Sequence, residues 1–373
     1  MKTCWKTSGS LSTNNRTDNY SHGESREGVS PKVISVQRNP VSGYMIVLVK
    51  NGLLRHSNDS ILYSVREESN NMREQNLTKI AFGARKGGVG KSTFCANIAG
   101  CLEEAGHKTL IVVVDSQDDL PKVYLSENAD GEESTPPFKE SEYHSLTEVL
   151  LNGLNPKDAV YTSRNMTKYK RSVTGIRIPS RKEHINLHIM PAGADIPAID
   201  IPNVSVDGSN EAQLTFGMLD EYLKGIFSDY EYILYDMPTA DAGYSGISLM
   251  ALASADYVVV PLRPSPRDVN SIQLMTESIA EVNAIGSNTK LLGAVLNMYK
   301  KGESIKEYWK DSFSDSLGNI MFRTIISIEN AAYDKSETFG VPLCSFTSTR
   351  AGKEFEALTD EILKRIEEDR RNG

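Results

Sequence analysis

The hydrophobic pattern separates a polar N-terminal stretch from a longer part with regularly spaced short apolar runs. About the first 30 residues are rich in Ser, Asn, Gly and charge and have no apolar periodicity, which predicts a disordered arm. Residues 32–56 contain two β-rich apolar runs around a Pro/Gly turn, which predicts a hairpin, and residues 64–78 are polar like a linker. We therefore predict a partly disordered N-terminal extension with a β-hairpin at residues 1–76, and a main domain at residues 77–373.

From Lys79 onward, short β-branched runs alternate with segments that have helical periodicity. The apolar runs are KIAFGA, TLIVVVD, INLHIMPA, YEYILYD, YVVVPL, LLGAVLN and VPLCSF. Continuously apolar strands separated by helix-length segments are typical of a parallel sheet that is covered on both faces. The pattern predicts an α/β fold with a mostly parallel twisted sheet and helices on both faces.

Composition and charge narrow the classes of function. The formal net charge is −8 and the sequence pI is about 5.4, so any binding to nucleic acid must use a local patch. The four cysteines form no C-x-x-C pair, which argues against a zinc ribbon, an iron–sulfur centre or a redox motif. No apolar run approaches the roughly 20 residues of a membrane span, and no signal peptide is visible. A cytoplasmic protein without a membrane partner is expected.

A glycine-rich loop follows the first of these apolar runs. KIAFGA is a predicted strand, RKGGVGKS a loop, and TFCANIAGCLEEAGH a predicted helix. Glycines let successive backbone N–H groups turn inward, and the helix N-terminus adds its partial positive charge. Lys91 would reach the β and γ phosphates of a nucleotide, and the Ser92 hydroxyl would ligate Mg²⁺.

A second lysine in this loop, Lys86, makes the segment KGGVGKST resemble the deviant Walker A box of the ParA/MinD ATPases. The resemblance implies that Lys86 crosses a dimer interface and touches the phosphates held by the partner subunit. Two nucleotides that face each other concentrate negative charge, so a cation donated in trans would make a homodimer depend on ATP. The alternative is an ordinary surface lysine beside a phosphate loop.

The resemblance extends over about residues 79–363 and implies further nucleotide and metal ligands. YEYILYDMPTA resembles the Walker B strand, which gives Asp236 a magnesium role, although a carboxylate there can also cap a helix. GAVLNMY places Asn297 where the family reads adenine, although Asn also forms turns. The residues implied to bind ATP are Lys86, Gly87, Gly88, Val89, Gly90, Lys91, Ser92, Thr93 and Asn297. Those implied to bind Mg²⁺ are Ser92, Asp115 and Asp236.

The first departure from the family lies in its first switch, which usually reads D-x-D-P-Q. In VVVDSQDDLP the first Asp is Asp115, but the second position is Gln117, and Asp118 follows it. An amide can hold the attacking water but cannot accept its proton, so hydrolysis is expected to be slow. Alternatively, a shift of the loop gives the role to Asp118. The catalytic residues implied are Lys86, Lys91, Asp115, Gln117 and Asp118.

The second departure concerns DNA. Where the family often has R-N-V-R, this chain has Glu329 and Ala332, so those phosphate contacts are lost. The stretch SRNMTKYKRSVTGIRIPSRK is basic and has no acidic residue, and it is either a DNA-binding insertion or a solvated loop. The predicted DNA contacts are Lys168, Lys170, Arg171, Arg181 and Lys182.

Three functions remain, and the first is the one we predict. It is a partition-type ATPase with nonspecific DNA binding, a ParB-like or other activating partner, and nucleoid association within the cytoplasm. A MinD-like positioning protein would need an amphipathic membrane helix, but the end EILKRIEEDRRNG is acidic and poor in apolar residues. A nucleotide-gated scaffold with weak hydrolysis would suit Gln117. No second substrate site supports an amidoligase or a kinase.

Overall fold

The computed structural model describes residues 32–38, 45–50, 77–117, 119–125, 142–163, 167–171, 177–181, 186–193, 218–240, 246–268, 270–284, 286–346 and 349–372. The chain divides into two units, Met1–Asn70 and Asn71–Gly373. In the first unit, strand β1 (Lys32–Arg38) pairs antiparallel with β2 (Met45–Lys50). The predicted disordered arm and almost all of the predicted linker lie outside the described residues.

The second unit is built on a seven-stranded sheet. Its strands are β3 (Thr78–Ala84), β4 (Thr109–Val113), β5 (Tyr161–Thr162), β8 (Leu187–Met190), β9 (Tyr232–Thr239), β10 (Tyr257–Leu262) and β11 (Lys290–Leu296). Their order is β11-β10-β3-β9-β4-β8-β5, and every neighbouring pair is parallel except β5 with β8. Strands β3, β4 and β10 are buried along their whole length, as a sheet covered on both faces requires. The predicted fold class is confirmed.

Helices connect these strands and cover the sheet. They are α1 (Lys91–Glu104), α2 (Asp119–Tyr124), α3 (Leu146–Asn152), α4 (Met218–Phe227), α5 (Gly246–Ser254), α6 (Ser271–Ala284), α7 (Ser304–Leu317), α8 (Asn330–Phe339) and α9 (Arg350–Asn372). A separate two-stranded sheet pairs β6 (Thr167–Arg171) with β7 (Arg177–Arg181). Of the helices that the structure describes, none combines the length and the apolar character that crossing a membrane needs.

The C-terminal helix α9 contributes an apolar stripe to the core. Phe355, Leu358, Ile362 and Ile366 are buried, and the ring of Phe355 meets that of Phe94 on α1 edge to face at 5.1 Å between centroids. Burying each such side chain contributes about 1.5–3 kcal/mol. The apolar face of this helix is therefore committed to the packing of the domain.

One predicted strand is wrong. The segment VPLCSF forms no strand, and its residues Leu343–Ser345 form a 3₁₀ turn. Pro342 has no N–H to donate to a sheet, and the Leu343 N–H donates instead to Asn97 Oδ1 on α1 at 2.6 Å. A methyl group on Gly100 would lie 2.4 Å from Pro342, so the segment packs directly on the backbone of α1. Its apolar residues are buried by this helix contact and need no sheet.

Candidate functional site

The glycine-rich loop connects β3 to α1 at the carboxyl edge of the sheet. Gly88 and Gly90 have φ of 67° and 97°, the left-handed region that favours glycine. Gly90 has a second constraint, because a Cβ there would lie 2.6 Å from Asn297 Nδ2. The sequence therefore encodes a sharp loop that turns directly into the N-terminus of α1.

Lys91, the first residue of α1, is buried with 6% of its surface exposed. Its Nζ donates to Thr239 Oγ1 at 3.0 Å. Thr239 ends strand β9, which continues three residues beyond Asp236. Sequence reasoning missed Thr239, although its place at the end of the same strand as Asp236 was a usable signal. The contact holds the ammonium group of Lys91 at the sheet edge beside the loop.

Asp236 lies on β9 beside the start of α1 and is 1% exposed. The Ser92 hydroxyl lies near its carboxylate, while Oδ1 has no hydrogen-bond partner in the described part of the chain. Burial raises the pKa of Asp236 to about 7; the nearby Ser92 hydroxyl opposes this, and the nearby charge of Asp115 adds to it. A buried carboxylate with an unpartnered oxygen next to a hydroxyl offers the hard oxygen ligands that Mg²⁺ prefers.

This donor set is small. Across the described ranges, no group of three or more His, Cys, Asp and Glu side chains is placed to hold a metal ion. Mg²⁺ beside a nucleotide normally takes one or two carboxylates, with phosphates and water completing its shell. Ser92, Asp115 and Asp236 therefore fit magnesium bound together with a nucleotide better than a metal held by protein alone.

Asp115 follows β4 and fixes the start of the predicted switch. Its Oδ1 accepts the backbone N–H of Gln117 at 3.1 Å, and Lys122 Nζ donates to the Gln117 carbonyl. The side chain of Gln117 is exposed, whereas Asp118 lies outside the described residues. The backbone at the predicted water-orienting position is thus held by two contacts, one from each side.

Asn297 follows β11 and lies beneath the loop, with 4% of its surface exposed. Its Nδ2 donates to the carbonyl of Val89 at 2.8 Å, and its backbone N–H donates to Leu262 O on β10. Sequence reasoning missed this bracing of the loop, because residues 208 positions apart form the contact. The predicted reading of adenine by Asn297 stays a prediction.

The two lysines of the loop occupy different environments. Lys86 is partly exposed, next to the exposed residues Gly87 and Gly88, and its ammonium group has no partner among the residues that the structure describes. Arg85, in contrast, donates through Nη2 to Ser278 Oγ on α6 at 2.9 Å. The loop is thus held by Arg85 on one side and Lys91 on the other, while Lys86 stays partly exposed.

Val89 and Thr93 complete the predicted loop residues. Val89 is buried in the core, and the Thr93 carbonyl accepts a hydrogen bond from Asn97 Nδ2 at 2.7 Å. The structure therefore brings together, at one edge of the sheet, the loop, Asp115, Asp236 and Asn297.

Four of the five predicted DNA contacts, Lys168, Lys170, Arg171 and Arg181, belong to the separate sheet of β6 and β7. In the antiparallel register, Arg171 pairs with Arg177 and Thr167 pairs with Arg181. Lys182 lies outside the described residues.

Glu329 and Ala332, which stand where the family often has arginines, have structural roles in this chain. Glu329 Oε2 accepts the N–H of Ala351 in the first turn of α9 at 2.7 Å. Ala332 is 3% exposed. The first residue caps a helix and the second is buried in the core, so neither offers a phosphate contact.

Known proteins similar in sequence to this chain include nucleotide-dependent ATPases. The family model AAA_31, described as an AAA domain, matches residues 77–292. The chromosome-partitioning ATPase Soj of Thermus thermophilus is 24% identical over 300 residues, which cover 80% of this chain and 100% of Soj.

Solved structures agree on the fold. An ATP complex of a McdA variant from Cyanothece is 17% identical with a TM-score of 0.57, covering 78% of this chain and 97% of that one. Cobyrinic acid a,c-diamide synthase from Mycobacterium smegmatis with ADP and magnesium is 19% identical with a TM-score of 0.52, covering 78% and 96%. Together with the matched family model, the fold and the loop sequence show that this chain belongs to the AAA_31 family, as a P-loop ATPase of the ParA/MinD type.

Proposed function

We propose that residues 77–373 form an ATPase that dimerises on ATP and acts in plasmid or chromosome partitioning, with nonspecific DNA and an activating partner. The observation that carries the proposal is the contrast between the loop lysines: Lys91 is buried against Thr239, whereas Lys86 is partly exposed and has no partner among the described residues. A lysine already held inside serves the nucleotide of its own chain. In this proposal, Lys86 reaches the nucleotide of a second chain.

Different residues at the sheet edge bind different parts of the nucleotide and its metal ion in this proposal. Backbone N–H groups of the loop and the Lys91 ammonium hold the phosphates, and Thr239 keeps that ammonium in place. Ser92, Asp115 and Asp236 hold Mg²⁺, which when bound neutralises charge on the phosphate oxygens. Asn297 keeps the loop in its binding shape through Val89 and, in this proposal, also contacts the base.

Turnover is expected to be low, and two substitutions distinguish the candidates for orienting the attacking water. If Gln117 holds this role, Gln117→Asp should raise the rate of phosphate release several-fold, because a carboxylate can accept the proton of the water. Asp118→Ala should then change little. Phosphate release is measured with saturating ATP and Mg²⁺. The opposite pattern, a silent Gln117→Asp and an inactive Asp118→Ala, would assign the role to Asp118.

Binding of DNA tests the partition role most directly. A nonspecific duplex should bind only in the presence of ATP, and its affinity should fall steeply with salt because bound counterions are released. Fluorescence anisotropy should show a loss of affinity in a variant with four alanines in the basic stretch, at Lys170, Arg171, Arg181 and Lys182. The slope of log affinity against log salt should decrease by about 0.9 for each phosphate contact removed.

A matched control removes the same charge elsewhere. Four exposed basic residues, on α4 and α9, are changed to alanine together: Lys224, Lys353, Lys364 and Arg371. The control should keep the wild-type affinity and salt slope. If both variants lose affinity equally, the effect is one of net charge, and the hairpin has no special role.

The alternative function is a nucleotide-gated scaffold or a MinD-like positioning protein with weak hydrolysis. The exposed amide of Gln117 in the switch favours this alternative over an efficient ATPase. Binding of DNA that depends on neither salt nor the basic stretch would support it. Strong binding to anionic vesicles with ATP would support the positioning role, although the apolar stripe of α9 is already packed in the core.

A further inference from the structure

Arg263 lies beside the phosphate loop and was assigned no role by the sequence. It directly follows β10, the strand next to β3 in the sheet, so the end of β10 emerges beside the start of the loop. A methyl group on Gly88 would lie 3.8 Å from Arg263 Nη1. Gly88 itself is exposed. The guanidinium group therefore borders the exposed glycines of the loop.

Asp268 holds this guanidinium from behind. Its side chain is fully buried, and Arg263 Nε donates to its Oδ2 at 3.2 Å. Within the described ranges, Nε is the only nitrogen of the Arg263 side chain with a hydrogen-bond partner, and Asp268 Oδ1 has none. The pair is joined at one point, so the four N–H bonds on Nη1 and Nη2 are left for another acceptor.

Such an arrangement differs from a structural ion pair. A carboxylate that only neutralises an arginine commonly binds it through two parallel hydrogen bonds. Here the buried carboxylate takes the inner nitrogen, and the side chain of Arg263 keeps 29% of its surface exposed. The planar end of a guanidinium matches two oxygens of a phosphate group.

We propose that Arg263 contacts the terminal phosphate of a nucleoside triphosphate bound on the loop of its own chain, and that Asp268 is its positioning residue. This inference rests on the proposed binding of ATP at the loop. The contact is in cis because Arg263 and Gly88 of one chain are neighbours. It adds a cation to the site that neither loop lysine supplies.

Calorimetric titration with a nonhydrolysable ATP analogue and with ADP, both with Mg²⁺, tests the proposal. Arg263→Ala should weaken the triphosphate analogue about tenfold or more and ADP much less, because a charge-assisted bidentate contact is lost at the third phosphate. Arg263→Lys should restore part of the loss. Asp268→Asn should lower the ratio of triphosphate to diphosphate affinity, which a merely structural role would leave unchanged.

The control is Arg371→Ala, which removes an exposed arginine paired with Glu367 near the C-terminal end of α9. It should bind both nucleotides like the wild type. An unchanged affinity ratio in Arg263→Ala would overturn the inference and leave the proposed function intact. Failure of the wild type to bind either nucleotide would overturn both. If Asp268→Asn does not fold, the two Arg263 variants still decide.

The cis assignment has its own test in the Lys86→Ala background, at a concentration where sedimentation shows monomers. The effect of Arg263→Ala on the affinity ratio should persist there, because the contact lies within one chain. Loss of the effect in the monomer would overturn the cis contact.

Discussion

Replacing Lys91 by alanine is expected to remove measurable ATP binding. The Nζ of Lys91 lies at the loop, held by Thr239 at 3.0 Å, and the substitution deletes a cation that contacts phosphate directly. A hydrogen bond to a charged group contributes about 1.5–3 kcal/mol, and Lys91 would make more than one. Calorimetric titration with ATP and Mg²⁺ measures the loss.

Ser92→Ala tests how much of the ATP affinity depends on magnesium, separately from the direct phosphate contact of Lys91. Its hydroxyl lies near the Asp236 carboxylate and is a proposed Mg²⁺ ligand, so this variant should lose the part of ATP affinity that depends on magnesium. Thr239→Val is the graded control, because it removes only the hydroxyl that holds Lys91 and should weaken binding less than Lys91→Ala. Thermal unfolding checks that all three variants fold. Near-normal affinity in Lys91→Ala would reject the assignment of the phosphate loop.

The sequence predicted the central sheet because its strands are buried on both faces. Such strands need apolar residues at every position, and runs like YVVVPL match β10 residue for residue. The segment VPLCSF is also mostly apolar, but it is buried against α1, where the Asn97 side chain accepts the hydrogen bond of the Leu343 backbone N–H. A local pattern records that a segment is buried and does not record which element buries it.

The candidate site was likewise predictable only where it depends on local sequence. The loop and Asp236 follow from the local order of strand, glycines and helix, which a sequence displays directly. The bracing of Val89 by Asn297 and the approach of Arg263 to Gly88 depend on which strands are neighbours in the sheet. Strand order arises from packing across the whole domain, so these contacts leave no mark on the local sequence.

ATP and Mg²⁺ are expected to convert the protein from monomer to dimer, and Lys86→Ala should abolish this conversion. Two bound nucleotides facing each other repel strongly in a site that excludes water, and in this proposal the partly exposed Lys86 offsets that repulsion. Because Lys86 serves the partner's nucleotide in this proposal, binding to a single chain should stay largely intact. Analytical ultracentrifugation with a nonhydrolysable ATP analogue measures the dimer, and calorimetry measures binding.

Measuring the dimer and nucleotide binding side by side distinguishes the roles of the two loop lysines. Lys91→Ala should lose both nucleotide binding and the dimer, whereas Lys86→Ala should lose the dimer alone. Lys353→Ala, which removes an exposed lysine on α9, controls for the change in net charge and should dimerise like the wild type. A Lys86→Ala protein that still dimerises fully on ATP would reject the role in trans and make Lys86 a surface lysine beside an ordinary phosphate loop. Equal loss of binding in both lysine variants would instead place Lys86 on its own chain's nucleotide.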